Sequence, residues 1–361
     1  MSTYGGWAGK VLRVNLTTGQ ISQEDTVAKY KDYIGGAGIG LKVMWDEVPG
    51  NVKAFDPENK VVFGGGPLTG TNAPSAARMS IISRSPMFYE KEYPDLSLVS
   101  INHMGGDWSS VLKFAGWDAV VIEGRAAKPS YIAIDNGKVE IRDASRMWGQ
   151  GNWKAQMDMI GEVGSDSAAL TIGQAGENLV PCSMVMSSFK NKAGGGHAAV
   201  MGSKNLKGIC VRGDGSIKIS ADKTEWKALI DYMIPMLSVH NNAQPLKQQS
   251  WSEYARGFYS WSGGPGSYWG AANPRRYLGV TDPHDINSMG YRTNQYVYSY
   301  KDHWRYLVRN DSCFGCPLAC WLMTKADMLK WGYPALKSNT CAQGTMGSSF
   351  IKKLGATDAE R

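Results

Sequence analysis

The sequence lacks several features that would assign it to a class directly. No apolar run approaches the roughly 18 residues that a membrane-spanning helix needs. The opening, MSTYGGWAGKVLRVNL, has neither the apolar stretch nor the cleavage site of a secretory signal. There is no internal repeat and no dense block of Lys and Arg. We therefore expect no membrane span, no nucleic-acid partner and a cytoplasmic location.

Bulk composition indicates a globular protein with a mild positive charge. The 361 residues are 43% hydrophobic and 20% charged, and this length is sufficient for two or more domains. Lys and Arg together number 39 against 32 Asp and Glu, which gives a net charge of +7. The positive residues are spread along the chain, so a solvated surface is the simpler interpretation. An anionic ligand or an acidic partner is the alternative.

Glycine is unusually abundant and occurs in short clusters. There are 43 glycines in 361 residues, about 12%, against a usual share of about 7%. Each cluster could be a tight turn of a β-rich domain, or a place where the backbone approaches a ligand and points N–H groups at an anion. None has the G-x-G-x-x-G spacing of a dinucleotide site. The clusters are GGAGIG (35–40), GGGPLTG (64–70), MGGD (104–107), IGQAGEN (172–178) and AGGGHAAVMG (193–202).

The pattern of apolar residues divides the chain in two. Residues 1 to about 212 predict short strands and turns, with a hairpin over 131–143 that turns at Asn136-Gly137. Short helices are predicted at 24–34, 108–115 and 152–162. Further strands are predicted at 11–16, 60–66, 117–124, 167–173 and 208–213.

Beyond about Ser220 the pattern of residue types changes. Residues 224–237 have helical spacing, with Pro235 expected to bend or end the helix. Residues 240–300 are rich in Trp, Tyr, Gly, Pro and Asn and predict an irregular stretch. We place a domain boundary between Gly213 and Lys223.

The cysteines fall into two kinds. A chain of this size with no export signal is not expected to form disulfides. The first two cysteines lie in apolar, strand-rich sequence and are predicted to be buried packing residues. The next three form a C-x2-C-x3-C triplet. In chain order the six are Cys182, Cys210, Cys313, Cys316, Cys320 and Cys341.

The triplet favours an iron–sulfur cluster, with zinc and coincidence as open alternatives. A structural zinc site normally needs a second Cys/His pair, whereas His303 and Cys341 each stand alone. A 4Fe–4S cluster needs four thiolates, and one tight turn can supply three of them. Gly315 and Pro317 suit such a turn. The spacing is not C-x3-C-x2-C, which argues against radical chemistry on S-adenosylmethionine.

Several unrelated segments, in order, resemble one known family. They include GWAGKVLRVNLTTGQI (6–21), YIGGAGIGLK (33–42), ENKVVFGGGPLTGTNAP (58–74), LKFAGWDAVVIEGRA (112–126), AVMGSKNLKGICVRG (199–213) and CFGCPLAC. The chain resembles the aldehyde:ferredoxin oxidoreductase family, whose members carry a tungsten or molybdenum bispyranopterin and a 4Fe–4S cluster. It looks closest to the N-terminal part of a member of the branch of uncharacterised oxidoreductases.

The resemblance implies an α+β fold in two parts. Residues 1–213 would be a β-rich, two-sheet domain that binds the pterin cofactor. Residues 220–361 would be the start of a mainly α-helical domain that carries the cysteine loop. A homodimer is possible, since the family often forms one.

The resemblance also implies specific cofactor contacts. The backbone carbonyls of His103 and Asn191 would hold a Mg²⁺ ion that bridges the two pterin phosphates. Arg78 would lie between pterin and cluster and hydrogen-bond both. The loops that contact the pterin would include Gly105, Gly106, Ala193, Gly194 and Gly195.

In the same reading, Cys313, Cys316 and Cys320 ligate the 4Fe–4S cluster. Electrons would leave the metal through the pterin, pass the cluster and reach a ferredoxin-type partner. The reaction would be oxidation or reduction of an aldehyde, carboxylic acid or related carbonyl compound. Two alternatives remain: an incomplete or non-catalytic cofactor-binding or electron-transfer fragment that needs a second polypeptide, and a zinc-stabilised binding module.

Two departures from the family pattern limit what can be carried over. Family members continue well past this length, and the further part supplies the fourth cluster cysteine and most of the substrate pocket. Cys341 could instead be a fourth ligand, although an unrelated thiol is the simpler interpretation. The alignment also places Lys337 where the aldehyde enzymes have a glutamate, so the substrate class is not fixed.

Overall fold

The computed structural model describes residues 4–90, 92–237, 307–317, 321–325 and 336–339. They fall into two compact units, the first formed by residues up to Trp226 together with Cys313–Gly315. The predicted irregular stretch 240–300, Cys320 and Cys341 lie outside the described residues. The division into domains at 213–223 remains a prediction.

The first unit contains a six-stranded mixed sheet in the order β2-β1-β6-β3-β4-β5. Strands β1 and β6 are parallel, and every other pair in this sheet is antiparallel. The central strands β3 and β6 are apolar runs, so they are buried on both faces. The bounds are β1 (Lys10–Asn15), β2 (Ile21–Asp25), β3 (Val61–Gly65), β4 (Met79–Glu90), β5 (Tyr93–Met104) and β6 (Ala119–Glu123).

A second six-stranded sheet follows in the order β11-β10-β9-β12-β7-β8. Only the β12–β7 pair is parallel. The hairpin β7–β8 turns at Asn136, whose φ of 51° is left-handed, as the Asn-Gly signal predicts. The bounds are β7 (Ser130–Asp135), β8 (Lys138–Asp143), β9 (Ala168–Ile172), β10 (Val185–Ser187), β11 (Asn191–Ala193) and β12 (Leu206–Arg212).

Six helices complete the first unit. They are α1 (Thr26–Tyr30, followed by a 3-10 turn over Lys31–Tyr33), α2 (Ala37–Glu47), α3 (Trp108–Phe114), α4 (Asn152–Val163), α5 (Gln174–Glu177) and α6 (His197–Ser203). The largest apolar cluster joins residues of both sheets with α3 and α6. A second cluster lies between α2 and the first sheet, and a third between α4 and the second sheet. This arrangement confirms the predicted α+β class with two sheets.

The glycine-rich segment 35–40 begins a helix rather than remaining a loop. Helix α2 packs so closely on β4 that a Cβ on Gly40 would lie 2.5 Å from the Ile82 Cδ1 atom. Small residues here allow a close helix–sheet approach, so a composition typical of a turn is compatible with a helix. The long hairpin of β4 and β5 was also not predicted, because Ser, Pro and charged residues interrupt its apolar pattern.

The two early cysteines differ in burial. Cys210 is fully buried in β12, as predicted, and burial raises the pKa of its thiol to about 11. The prediction that Cys182 is buried is wrong, because this residue is exposed. It follows Pro181 in the exposed connection between α5 and β10, where neighbouring apolar residues in sequence do not form an element.

Helix α7 (Lys223–Leu237) follows the first unit's sheets and includes Pro235. In the second unit, three short strands form an antiparallel sheet, with β14 between the other two. They are β13 (Leu307–Asp311), β14 (Trp321–Lys325) and β15 (Leu336–Asn339). Within the described ranges, no helix combines the length and apolarity needed to cross a bilayer.

A buried carboxylate, Asp118, ties the N-terminal segment to the first sheet. It accepts hydrogen bonds from the backbone N–H groups of Ala8 (2.9 Å) and Gly9 (2.7 Å) and from the Thr26 hydroxyl (2.8 Å). The Lys113 ammonium lies 2.7 Å from the same carboxylate. Asp118 therefore satisfies four donors from three separate segments.

The Lys113 ammonium makes further contacts with backbone carbonyls. Its Nζ donates to Gly6 O at 2.6 Å and to Gly66 O at 3.3 Å. Burial lowers the pKa of Lys113, and the facing Asp118 carboxylate opposes this shift. This pair consequently connects α3 to the glycine-rich loop that follows β3.

Two lysines of the GSKNLK segment are also buried. Lys204 Nζ donates to the backbone carbonyls of Pro57 (3.0 Å) and Gly124 (3.2 Å). Burial lowers the pKa of Lys204 to about 7. Lys207 Nζ lies 2.5 Å from the buried Glu177 carboxylate. The two lysines therefore hold neighbouring loops and α5 next to strand β12 of the second sheet.

We expect Asp118→Asn to lower the free energy of unfolding by about 3–5 kcal/mol, because it leaves the Lys113 ammonium buried without a counter-charge. Denaturant unfolding followed by circular dichroism measures the change. Asp166→Asn is the matched control, since Asp166 pairs with Arg212 at the surface, and its midpoint should stay nearly unchanged. Equal effects of the two substitutions would contradict the conclusion that the buried Asp118 carboxylate holds these segments together.

Candidate functional site

Several of the glycine clusters meet along one edge of the first unit. The Gly36 N–H donates to Gly65 O at 2.9 Å, which joins the start of α2 to the end of β3. Gly36 has a φ of 44°, and a Cβ there would lie 3.3 Å from the Ser80 hydroxyl. Ser80 belongs to β4, so this edge continues from the loops onto the strands.

His103 is the next residue along this edge. It lies on β5 directly opposite Ser80 of β4, and its Nδ1 atom is 3.1 Å from the Ser80 hydroxyl. The ring is exposed. Strand β5 ends at Met104, the residue after His103, and the Gly105-Gly106 turn follows.

Gly105 is packed against two side chains from distant parts of the sequence. A Cβ on Gly105 would lie 2.9 Å from Cys313 Sγ and 3.0 Å from Asn191 Nδ2. Asn191 Nδ2 in turn donates to Cys313 Sγ at 3.2 Å. Residues from three distant parts of the sequence therefore meet at Gly105.

The residues after Cys313 are held by backbone contacts. Phe314 N donates to Gly106 O at 3.4 Å, and Gly315 O accepts from Ser75 N at 3.2 Å. The Phe314 ring stacks edge-on against Phe114 of α3, with centroids 5.3 Å apart. Gly315 has a φ of 62°, which fits the predicted tight turn. The start of the cysteine loop is thus fixed to the first unit.

The loop after β11 is anchored from β4. Ala193 is buried, and the Gly195 carbonyl accepts a hydrogen bond from Ser85 Oγ at 2.6 Å. His197 Nδ1 lies 2.8 Å from Ser83 Oγ. Burial lowers the pKa of His197 to about 4, so its ring is neutral near pH 7. Gly194 has open space where a Cβ would be.

Positive charge is available at this edge. Arg78 is exposed and directly precedes Met79, which pairs with Met104 just before Gly105. Its guanidinium makes no hydrogen bond or ion pair with another described residue. Lys190, by contrast, lies 3.3 Å from the Asp107 carboxylate and is balanced by it. An anionic group could therefore be met by Arg78 and by N–H groups of the turns.

The structure brings together most of the predicted site residues but not all. Arg78, His103, Gly105, Asn191 and Cys313 lie along one continuous edge, and Gly106, Ala193, Gly194 and Gly195 are in the adjoining turns. Cys316 is half-buried. Cys320 lies outside the described residues. In the part of the chain that the structure covers, no three His, Cys, Asp or Glu side chains come together as a metal site.

The donors present fit the implied cofactors at the points that the structure covers. Cys313 is a free thiol beside a glycine with no side chain to obstruct it. Arg78 is uncommitted, and the turns expose glycine backbone. Lys337 lies in β15 opposite Thr324.

Sequence reasoning missed three contributors to this edge. It did not assign Ser80, the side chain of Asn191, or the buried His197. The sequence gives no local signal for Ser80, which acquires its position from the β4–β5 register. For Asn191, the prediction concerned only the backbone carbonyl.

Comparison with known proteins identifies related chains. Residues 11–213 match a family model described as aldehyde ferredoxin oxidoreductase, N-terminal domain. The chain is 36% identical over 326 residues to the tungsten-containing aldehyde ferredoxin oxidoreductase of Pyrococcus abyssi, covering 88% of this chain and 48% of that protein. It is 33% identical over 243 residues to an aliphatic sulfonate oxidoreductase, WOR-like subunit, of Pyrococcus furiosus, covering 62% of this chain and 37% of that one.

A solved structure with a similar fold is the active-site complex BamBC of benzoyl coenzyme A reductase in complex with 1,5-dienoyl-CoA. The TM-score is 0.74 at 26% identity, over 99% of this chain and 53% of that one. The chain thus spans about half the length of the curated relatives it matches. The family model accounts for both sheets of the first unit. The chain belongs to the aldehyde ferredoxin oxidoreductase family, a family of oxidoreductases.

Proposed function

We propose that the protein is an oxidoreductase that holds a metal bispyranopterin along the Arg78–His103–Gly105 edge and a 4Fe–4S cluster at the cysteine loop. The observation that carries the proposal is the contact of Cys313 Sγ with Gly105 and Asn191. These are the turns that the family resemblance assigns to the pterin. A cluster ligand and the predicted pterin loops are therefore neighbours, as electron transfer between two cofactors requires.

Each predicted site residue has a definite part in this proposal. Cys313 and Cys316, with Cys320, would ligate the cluster. The backbone carbonyls of His103 and Asn191 would hold a Mg²⁺ ion, a hard cation suited to oxygen ligands and phosphates. Arg78 would place a fixed positive charge between the two cofactors. Gly105, Gly106, Ala193, Gly194 and Gly195 would bring backbone close to the pterin.

The pterin-bound metal would supply two-electron chemistry at a carbonyl carbon, and the cluster would carry single electrons. Tungsten is the metal named for the Pyrococcus relatives, which makes it our first choice, with molybdenum as the alternative. In this proposal the glycine turns contact the pterin and not the metal, so these residues do not determine which metal is bound.

We propose an aldehyde, carboxylic acid or related carbonyl compound as the substrate. The alignment with the aldehyde enzymes has a glutamate where this chain has Lys337, so we do not carry over their proton-transfer step. An ordinary surface lysine is the simpler interpretation of this residue, and a contact with an anionic substrate is the alternative. A ferredoxin-type protein is the proposed electron partner, and its usual acidity complements the net charge of +7. A cytoplasmic homodimer is the proposed state.

A second candidate is a cofactor-binding or electron-transfer part that a second polypeptide completes. One observation favours it: two of the similar proteins are named as a subunit and as a complex. In that case, this chain would bind the cluster, and the pterin site would be complete only in the assembly.

We expect Cys316→Ala to abolish stoichiometric iron binding and the absorption near 400 nm of the protein purified without oxygen. The loss of one thiolate removes a corner ligand of the cluster. Cys182→Ala is the matched control: Cys182 is an exposed thiol outside the cysteine loop, and its removal should leave iron content unchanged. Equal iron loss in both variants, or iron retention in Cys316→Ala, would refute the assigned ligands. One equivalent of zinc in place of iron would instead support a zinc-stabilised binding module.

Metal analysis separates the two candidate functions. If the chain holds the complete pterin site, the protein isolated alone contains tungsten or molybdenum, and Arg78→Ala lowers its amount several-fold because a cation between the pterin and the cluster is lost. A matched surface control is Arg146→Ala, in which a side chain paired with Glu162 on the second sheet's side is removed. Iron without either metal in the isolated chain would instead favour the assembly.

A further inference from the structure

The Asn191 side chain makes a directional contact with a cluster ligand. Its Nδ2 group donates to Cys313 Sγ at 3.2 Å across 122 positions of sequence. Asn191 is the first residue of β11 and pairs with Ser187 of β10, so its backbone is fixed by the second sheet. The amide is therefore presented to the sulfur by a rigid strand rather than by a mobile loop.

Gly105 makes this contact possible. A Cβ at this position would lie 2.9 Å from Cys313 Sγ, 3.0 Å from Asn191 Nδ2 and 3.2 Å from Asn191 Oδ1. Any side chain at 105 would therefore occupy the space in which the amide and the sulfur meet. The absence of a Cβ has a specific consequence here, because it permits an N–H···S hydrogen bond.

The sulfur is held in place independently of the amide. The next residue, Phe314, is fixed by its N–H bond to Gly106 O and by its ring contact with Phe114. Gly315 O accepts from Ser75 N. Removing the Asn191 amide would consequently change the electrostatics at Cys313 Sγ more than its position.

We propose that the Asn191 side chain is a positioning residue that sets the reduction potential of the cluster by donating a hydrogen bond to Cys313 Sγ. The inference rests on the proposed function, since it takes Cys313 to be a cluster ligand. Negative charge is delocalised onto the cysteine sulfurs, and one-electron reduction adds to it. An N–H dipole directed at a sulfur stabilises the reduced form more than the oxidised form, which raises the potential.

The test is a redox titration of the cluster in the protein purified without oxygen, followed by electron paramagnetic resonance. Asn191→Ala removes the donor and should keep the iron content of the wild type. At a fixed solution potential, the ratio of reduced to oxidised cluster should fall about tenfold, a shift of about 59 mV for a one-electron couple. Asn191→Asp keeps the shape, loses the N–H donor and adds negative charge, so its ratio should fall at least as far.

Asn178→Ala is the matched control, because Asn178 is exposed and donates only to Gln174 O within its own turn. Its cluster should titrate like the wild type. Asn191 variants that retain iron and titrate like the wild type would overturn the inference while leaving the proposed function intact. Iron loss from both Asn191 variants, with unchanged circular dichroism, would also overturn it and would indicate a purely structural role.

The outcome is distinguishable from failure of the proposed function itself. If the wild-type protein binds no iron, or if Cys316→Ala retains it, the cluster assignment fails before any potential is measured. A further variant, Gly105→Ala, inserts a methyl group between sulfur and amide and should shift the potential in the same direction as Asn191→Ala. Its matched control is Gly161→Ala in α4, where a Cβ meets open space, and this variant should titrate like the wild type.

Discussion

The close approach of three backbone segments at Gly105 is the constraint on which the candidate site depends. Strand β5 ends there, β11 begins beside it, and the cysteine loop lies against both. The segments are more than eighty residues apart along the chain, and only a residue without a side chain lets them meet. Glycine at this position is therefore required by packing, and the proposed binding of a cofactor needs the same small residue.

Buried charge holds the surroundings of this edge in place. Asp118 and Lys113 connect the N-terminal segment, α3 and the loop after β3, and Gly65 at the end of β3 accepts from Gly36. Such pairs stabilise little relative to apolar packing but fix one arrangement, because any other arrangement leaves a charge unpaired in the interior. The loops along the edge are thus held by polar contacts that originate inside the domain.

Much of the fold could be predicted from periodicity, and the site could be predicted mainly from resemblance. The strands β3 and β6 are mainly apolar runs, and the Asn136 turn has a local signal, so sequence alone predicts them. Helix α2 was missed because its glycines serve close packing on Ile82 rather than a turn. The Asn191–Cys313 contact joins residues 122 positions apart, and no local pattern reports such a pairing.

The GSKNLK segment (202–207) is among the segments that carry the family resemblance, yet its two lysines face inward. Lys204 donates to the carbonyls of Pro57 and Gly124, and Lys207 faces Glu177, all within the packing of the first unit. This segment therefore supports the scaffold. Because neither lysine is part of the candidate site, the segment indicates family membership and carries no information about which substrate the protein acts on.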